Sequence, residues 1–128
     1  MADAAVKEMT VLCLTHSLFF SVHCQVVSGS WDCTSILWDL RTGYPELTIQ
    51  GHSGVVCQAV FADPLPSPRR VLTSSDDKTL KLWDLRRNGT VVATLRGHTD
   101  SVKCCAVSGD FAVSGSDDHT VRTWLLPP

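Results

Sequence analysis

The stretch Gly51–Leu85, GHSGVVCQAVFADPLPSPRRVLTSSDDKTLKLWDL, decides the fold. A Gly-His pair opens it, and Val55 to Phe61 predicts a first strand. The proline-punctuated ADPLPSPRR reads as a loop, because proline cannot donate to a strand ladder. Val71 to Ser75 predicts a second strand, and Asp76-Asp77-Lys78 a turn. In TLKLWDL, Leu80 and Leu82 alternate with polar neighbours ahead of Trp83, the period of a third strand. Asn88-Gly89 predicts a tight hairpin, since both central residues of the favoured turn have positive φ. TVVATLR, from Thr90 to Arg96, then closes the unit as a fourth strand.

The same phrase recurs on either side. Ser28–Gly43 is SGSWDCTSILWDLRTG and Ser114–Pro128 is SGSDDHTVRTWLLPP; Trp38, Trp83 and Trp124 stand 45 and 41 residues apart. That spacing is the period of four-stranded propeller blades. The third copy predicts strands at 101–107, 111–116 and 121–125 behind Gly97-His98, and then no fourth strand. Upstream, Val11 to Val27 predicts two short strands with a turn near His16 to Ser21. Its polar interruptions suit neither a signal peptide nor a membrane span. In this first copy the Gly-His position holds Val6-Lys7.

Composition agrees with a globular domain. Of 128 residues 44% are hydrophobic and 19% charged, and the net charge of −2 gives no general attraction to nucleic acid or an acidic membrane. The six cysteines include no C-x-x-C pair, which argues against zinc and a disulfide framework. Reduced thiols fit the cytoplasm or nucleus. No cofactor motif is present.

With Gly-His, the turn aspartate and Trp-Asp recurring together, the chain resembles the WD-repeat β-propeller family over residues 7–126. The one departure in the signature dipeptide is Leu125, where the family has aspartate. The resemblance implies an all-β fold: a partial propeller of about three four-stranded antiparallel blades, an open arc rather than a closed ring. The single domain, 1–128, divides into a degenerate first blade (7–50), a second (51–96) and an incomplete third (97–128). Propellers use about 4–8 blades. Leaving roughly 400 Å² of apolar interblade surface wet forfeits about 10 kcal/mol, comparable with the whole stability of a domain, about 5–15 kcal/mol. The expectation is therefore a truncated product or fragment of a longer propeller, or an arc completed by a second copy or another WD-repeat chain.

The second and third units also hold a histidine, a hydroxyl and a carboxylate, the components of a serine hydrolase. The family resemblance assigns them otherwise, to a buried hydrogen-bonded tetrad: His52, Thr73, Asp77 and Trp83 in the second unit, and His98, Ser114, Asp118 and Trp124 in the third. The first keeps Ser28, Asp32 and Trp38 without the histidine. Buried imidazole, hydroxyl and indole groups each need a partner, whereas catalysis needs one accessible nucleophile rather than one constellation repeated. The expectation is a non-enzymatic scaffold for other proteins.

For partners, the resemblance points to the residue before each turn aspartate: Trp31, Asp76 and Asp117. Trp31 is either a contact anchor or packed on a neighbouring blade. WDLR occurs twice, ending at Arg41 and Arg86. Consecutive Trp-Asp-x-Arg endings resemble substrate receptors of cullin-4 ubiquitin ligases, whose arginines contact the adaptor; the same ending is also common in WD repeats as an exposed turn.

Overall fold

The computed structural model describes residues 25–63 and 69–128, arranged as three antiparallel sheets. The first holds β1 (Gln25–Gly29), β2 (Thr34–Asp39) and β3 (Tyr44–Gln50). The second holds β4 (Val56–Phe61), β5 (Arg70–Ser75), β6 (Thr79–Asp84) and β7 (Thr90–Arg96). The third holds β8 (Val102–Ser108), β9 (Phe111–Ser116) and β10 (Val121–Leu125). Every sheet is a meander, with strands paired in chain order. Among the described residues the sheets form an open series and no closed ring. The strands expected before Gln25, and the Val6-Lys7 position, lie outside the described residues.

Strand alternation gives the middle sheet two apolar faces. Leu72, Leu80 and Leu82 are fully buried toward the third sheet, against Val102, Cys105 and Ala112. Val71 and Trp83 face the first sheet, against Val27, Leu37 and Ile49. Each fully buried leucine contributes roughly 1.5–3 kcal/mol. The outer face of the third sheet is different: Phe111, Val113, Val121 and Leu125 are exposed.

One loop design recurs in all three sheets, joining β1 to β2, β5 to β6 and β9 to β10. Ser75 Oγ accepts the Asp77 amide at 3.1 Å, and Asp77 Oδ1 accepts both the Thr79 amide (3.0 Å) and its hydroxyl (2.6 Å). Ser30, Asp32 and Thr34 repeat this, as do Ser116, Asp118 and Thr120. The residue after each aspartate, Cys33, Lys78 or His119, takes a positive φ of 67–74°. Non-glycine residues rarely adopt that conformation, and here the side-chain bonds hold it.

The hairpin after β6 differs from expectation. Asn88 and Gly89 do have positive φ (58° and 71°), but a 3-10 turn, Leu85–Arg87, precedes them. Asp84 Oδ1 captures the Arg86 amide at 2.9 Å and caps that turn, so the connection runs five residues and closes through Gly89 N to Asp84 O at 3.0 Å.

Candidate functional site

The four side chains expected to meet in the second repeat come from three places: the turn before β4, β5 with its following loop, and β6. His52 Nε2 lies 2.7 Å from Thr73 Oγ1, and His52 Nδ1 lies 2.7 Å from Asp77 Oδ2. Trp83 Nε1 donates to Thr73 Oγ1 at 2.8 Å. The third repeat makes the same contacts. His98 spans Ser114 Oγ (2.7 Å) and Asp118 Oδ2 (2.8 Å), and Trp124 Nε1 donates to Ser114 at 2.8 Å. In the first, Trp38 Nε1 donates to Ser28 Oγ at 2.9 Å, while Asp32 engages its own loop through Thr34. The aromatic and hydroxyl thus meet across neighbouring strands, and the histidine fastens that pair to the loop.

Charge follows from this geometry. Burial lowers the pKa of His52 and outweighs the opposing pull of Asp77, so the imidazole is neutral at pH 7. Burial works to raise Asp77, but hydrogen bonds from Thr79 and His52 prevail and hold it below the usual carboxylate range. Asp118 is held low chiefly by the Thr120 hydroxyl, with His98 adding to it. A carboxylate accepting from His Nδ1 leaves Nε2 as an acceptor for the Thr73 or Ser114 hydroxyl. That is the polarity of a hydrolase triad, yet Thr73 and Ser114 are buried and each already accepts an indole N–H. Neither oxygen is open to a substrate. The set is suited to holding strands and loop in register.

The residues before the turn aspartates separate into two kinds. Trp31 is 48% exposed. Asp76 is engaged: Lys103 Nζ reaches its Oδ1 at 2.7 Å from the next sheet, and Cys57 Sγ donates to the same oxygen at 3.1 Å. Lys103 also lies 3.7 Å from Asp117 Oδ2. The lysine therefore bridges the second and third loops, raising its own pKa and lowering that of Asp76. Sequence reasoning missed Lys103 and Cys57. Each sits where the pairing of the first strand of its sheet slips by a residue, at Val56/Gln58 and Val102/Cys104, and such bulges turn a side chain out of alternation.

Arg41 and Arg86 occupy equivalent turns. Each Nε lies 3.6 Å from the preceding aspartate, Asp39 or Asp84, and both side chains are half exposed or more. The flanking leucines differ, since Leu40 is exposed while Leu85 packs against the core between the first and second sheets. Among the described residues no group of histidine, cysteine or carboxylate side chains could hold a metal, and no helix is long and apolar enough to cross a membrane.

Comparison with known proteins agrees with the repeat geometry. The family model "WD domain, G-beta repeat" matches residues 7–39, 43–84 and 89–124. The chain belongs to the WD-repeat family. WD repeat-containing protein 37 of Mus musculus is 40% identical over 104 residues, covering 80% of this chain and 20% of that protein. The ribosome biogenesis protein WDR12 homolog of Ixodes scapularis is 35% identical over 108 residues, covering 80% of this chain and 25% of its own length. The crystal structure of the WD40 beta propeller domain of Doa1 aligns with a TM-score of 0.70 at 35% identity, over 80% of this chain and 33% of that one. The chain thus spans a fifth to a quarter of these curated relatives and a third of the solved propeller chain.

Proposed function

We propose that this chain is a non-enzymatic scaffold that holds other proteins through the loops at the ends of its sheets. The observation that carries the reading is the division of labour among polar groups. His52, Thr73, His98 and Ser114 are buried and mutually bonded, while Trp31 stands exposed on an equivalent loop. Its indole offers the kind of large, rigid contact on which binding energy concentrates. The surroundings would be the cytoplasm or nucleus, in keeping with reduced cysteines. The exposed face of the third sheet is a surface against which a second copy or another WD-repeat chain would complete the arc.

The test is affinity capture from a cytoplasmic and nuclear extract, comparing the chain with a Trp31→Ala variant of equal melting temperature. Loss of specific proteins from the variant supports the reading; an identical set in both overturns the role of Trp31. Light scattering on a sizing column tests self-association, for which a discrete oligomer is expected. A companion variant, Ser114→Ala, is expected to melt lower; a hydrolytic activity abolished by it without loss of stability would instead restore the enzyme reading.

A second reading is favoured by the matched placement of Arg41 and Arg86 on successive turns. As a cullin-4 ligase receptor, the chain would bind the ligase adaptor through both guanidinium groups, whose planar forks pair bidentately. The double variant Arg41→Ala, Arg86→Ala would then lose adaptor in a pulldown while melting as before. Unchanged recovery of adaptor would remove this reading.

A further inference from the structure

A cleft of about 350 Å³ opens beside the second sheet, lined by Arg69, Arg70, Arg86 and Arg87 with Asp63 and Asp84. Four guanidinium groups against two carboxylates leave a local surplus of positive charge in a chain whose net charge is −2. The carboxylates do not use the arginines equally. Asp63 Oδ1 accepts Arg70 Nε at 2.9 Å and Nη2 at 2.7 Å, and its Oδ2 accepts the Arg69 amide at 3.0 Å. Arg70 Nη1 donates to the Pro127 carbonyl at 2.6 Å, so Arg70 and Asp63 form a closed pair that fixes one wall. Asp84 lies farther from the guanidinium groups of Arg86 and Arg87, 3.6 and 3.8 Å from their Nε atoms. The Arg69 guanidinium has no partner among the described residues. Three forks therefore stand around one opening, with Arg86 and Arg87 62% and 81% exposed.

Val92 and Pro128 add apolar surface to the lining. Val92 belongs to β7, the outermost strand of its sheet, whose Val91 and Val92 are both exposed. Such an edge offers backbone donors and acceptors to an extended chain. The geometry points to a phosphorylated peptide as ligand: its phosphate enters the cleft, where it accepts from Arg69, Arg86 and Arg87, and its backbone runs along β7. A phosphate carries nearly two negative charges at neutral pH and matches the surplus, and paired N–H forks suit its oxygens. Among the described residues no aromatic side chain lines the cleft, which argues against a nucleotide base stacking there.

The probe is an acetylated, amidated Val-Thr-phosphoserine-Val-Thr peptide, titrated into the ¹⁵N-labelled chain beside its unphosphorylated twin and inorganic phosphate. Amide shifts are expected at Arg69, Arg86, Arg87 and Val92, with the phosphopeptide binding about tenfold tighter than the twin. Arg69→Ala with Arg87→Ala should remove that preference, while Arg122→Ala, on β10 of the third sheet, should keep it; dispersed spectra confirm folding of each variant. Equal affinity for both peptides, or a preference that survives in the Arg69/Arg87 variant, overturns the proposal. Inorganic phosphate binding as tightly as the phosphopeptide would reduce the cleft to a free-anion site and overturn the peptide.

Discussion

In the second sheet Trp83 donates to Thr73 at 2.8 Å, and His52 ties that hydroxyl to Asp77 in the loop. In the first sheet Trp38 donates to Ser28 at nearly the same distance, 2.9 Å, but no imidazole among the described residues reaches that hydroxyl. Burial separates them too: Trp83 is 2% exposed, whereas Trp38 and Asp32 are open to solvent in part or largely. The indole–hydroxyl bond and the loop are thus separable units. Each forms by itself in the first sheet, and the histidine of the second couples them.

Truncating the two tryptophans gives the widest contrast. Trp83→Ala should cost about 3–5 kcal/mol, because it empties the space between the first and second sheets. Trp38→Ala should cost roughly 2 kcal/mol, as less apolar surface is lost. Urea unfolding monitored by far-ultraviolet circular dichroism measures both, and equal losses would break the contrast. Next come the hydroxyls. Thr73→Val leaves Trp83 Nε1 and His52 Nε2 buried without a partner, for a loss of roughly 2–3 kcal/mol, against about 1 kcal/mol for Ser28→Ala.

Acid should act on the second sheet in a defined direction. Because folding lowers the pKa of His52 below 6.5, the unfolded chain binds more protons, and stability falls as pH drops from about 6.5 toward the folded value. Asp77, also lowered, adds a loss as pH falls through 3.8 and on to its folded value. Melting temperatures of the chain and of His52→Asn, followed from pH 7.5 to 5, should converge on acidification. Parallel curves would show that His52 titrates alike in both states. The smallest effect belongs to the seam between the second and third sheets, where Lys103→Met should lose about 0.2–1 kcal/mol and the remaining sensitivity of that seam to salt. Salt sensitivity unchanged in the variant would mean that the bridge to Asp76 is not formed in solution.

The strands were legible because each repeat states the same alternation, and β9 and β10 fall on Phe111–Ser116 and Val121–Leu125 as the pattern implies. The tetrad residues could be named only through the family, since nothing local says that His52 reaches Asp77 across 25 positions. What stayed hidden depends on contacts between repeats. Lys103 finds Asp76 and Arg70 finds Pro127 only once the sheets stack. The two WDLR segments are identical as text, yet Leu40 is exposed and Leu85 packs inward, because Leu85 lies against the core that the second sheet shares with the first. The 3-10 turn was hidden for a local reason: Asp84 competes for the Arg86 amide before Asn88-Gly89 can form the hairpin alone.

The serine–aspartate–threonine loop carries a consequence for how such a protein changes over time. Its bonds run from Ser75 to Asp77 to Thr79 and bypass the side chain between the first two. The same frame holds Trp31, Asp76 or Asp117 at that place. A residue there can be exchanged without undoing the frame that presents it, so the surface of the loop can drift through single substitutions while the architecture stays put.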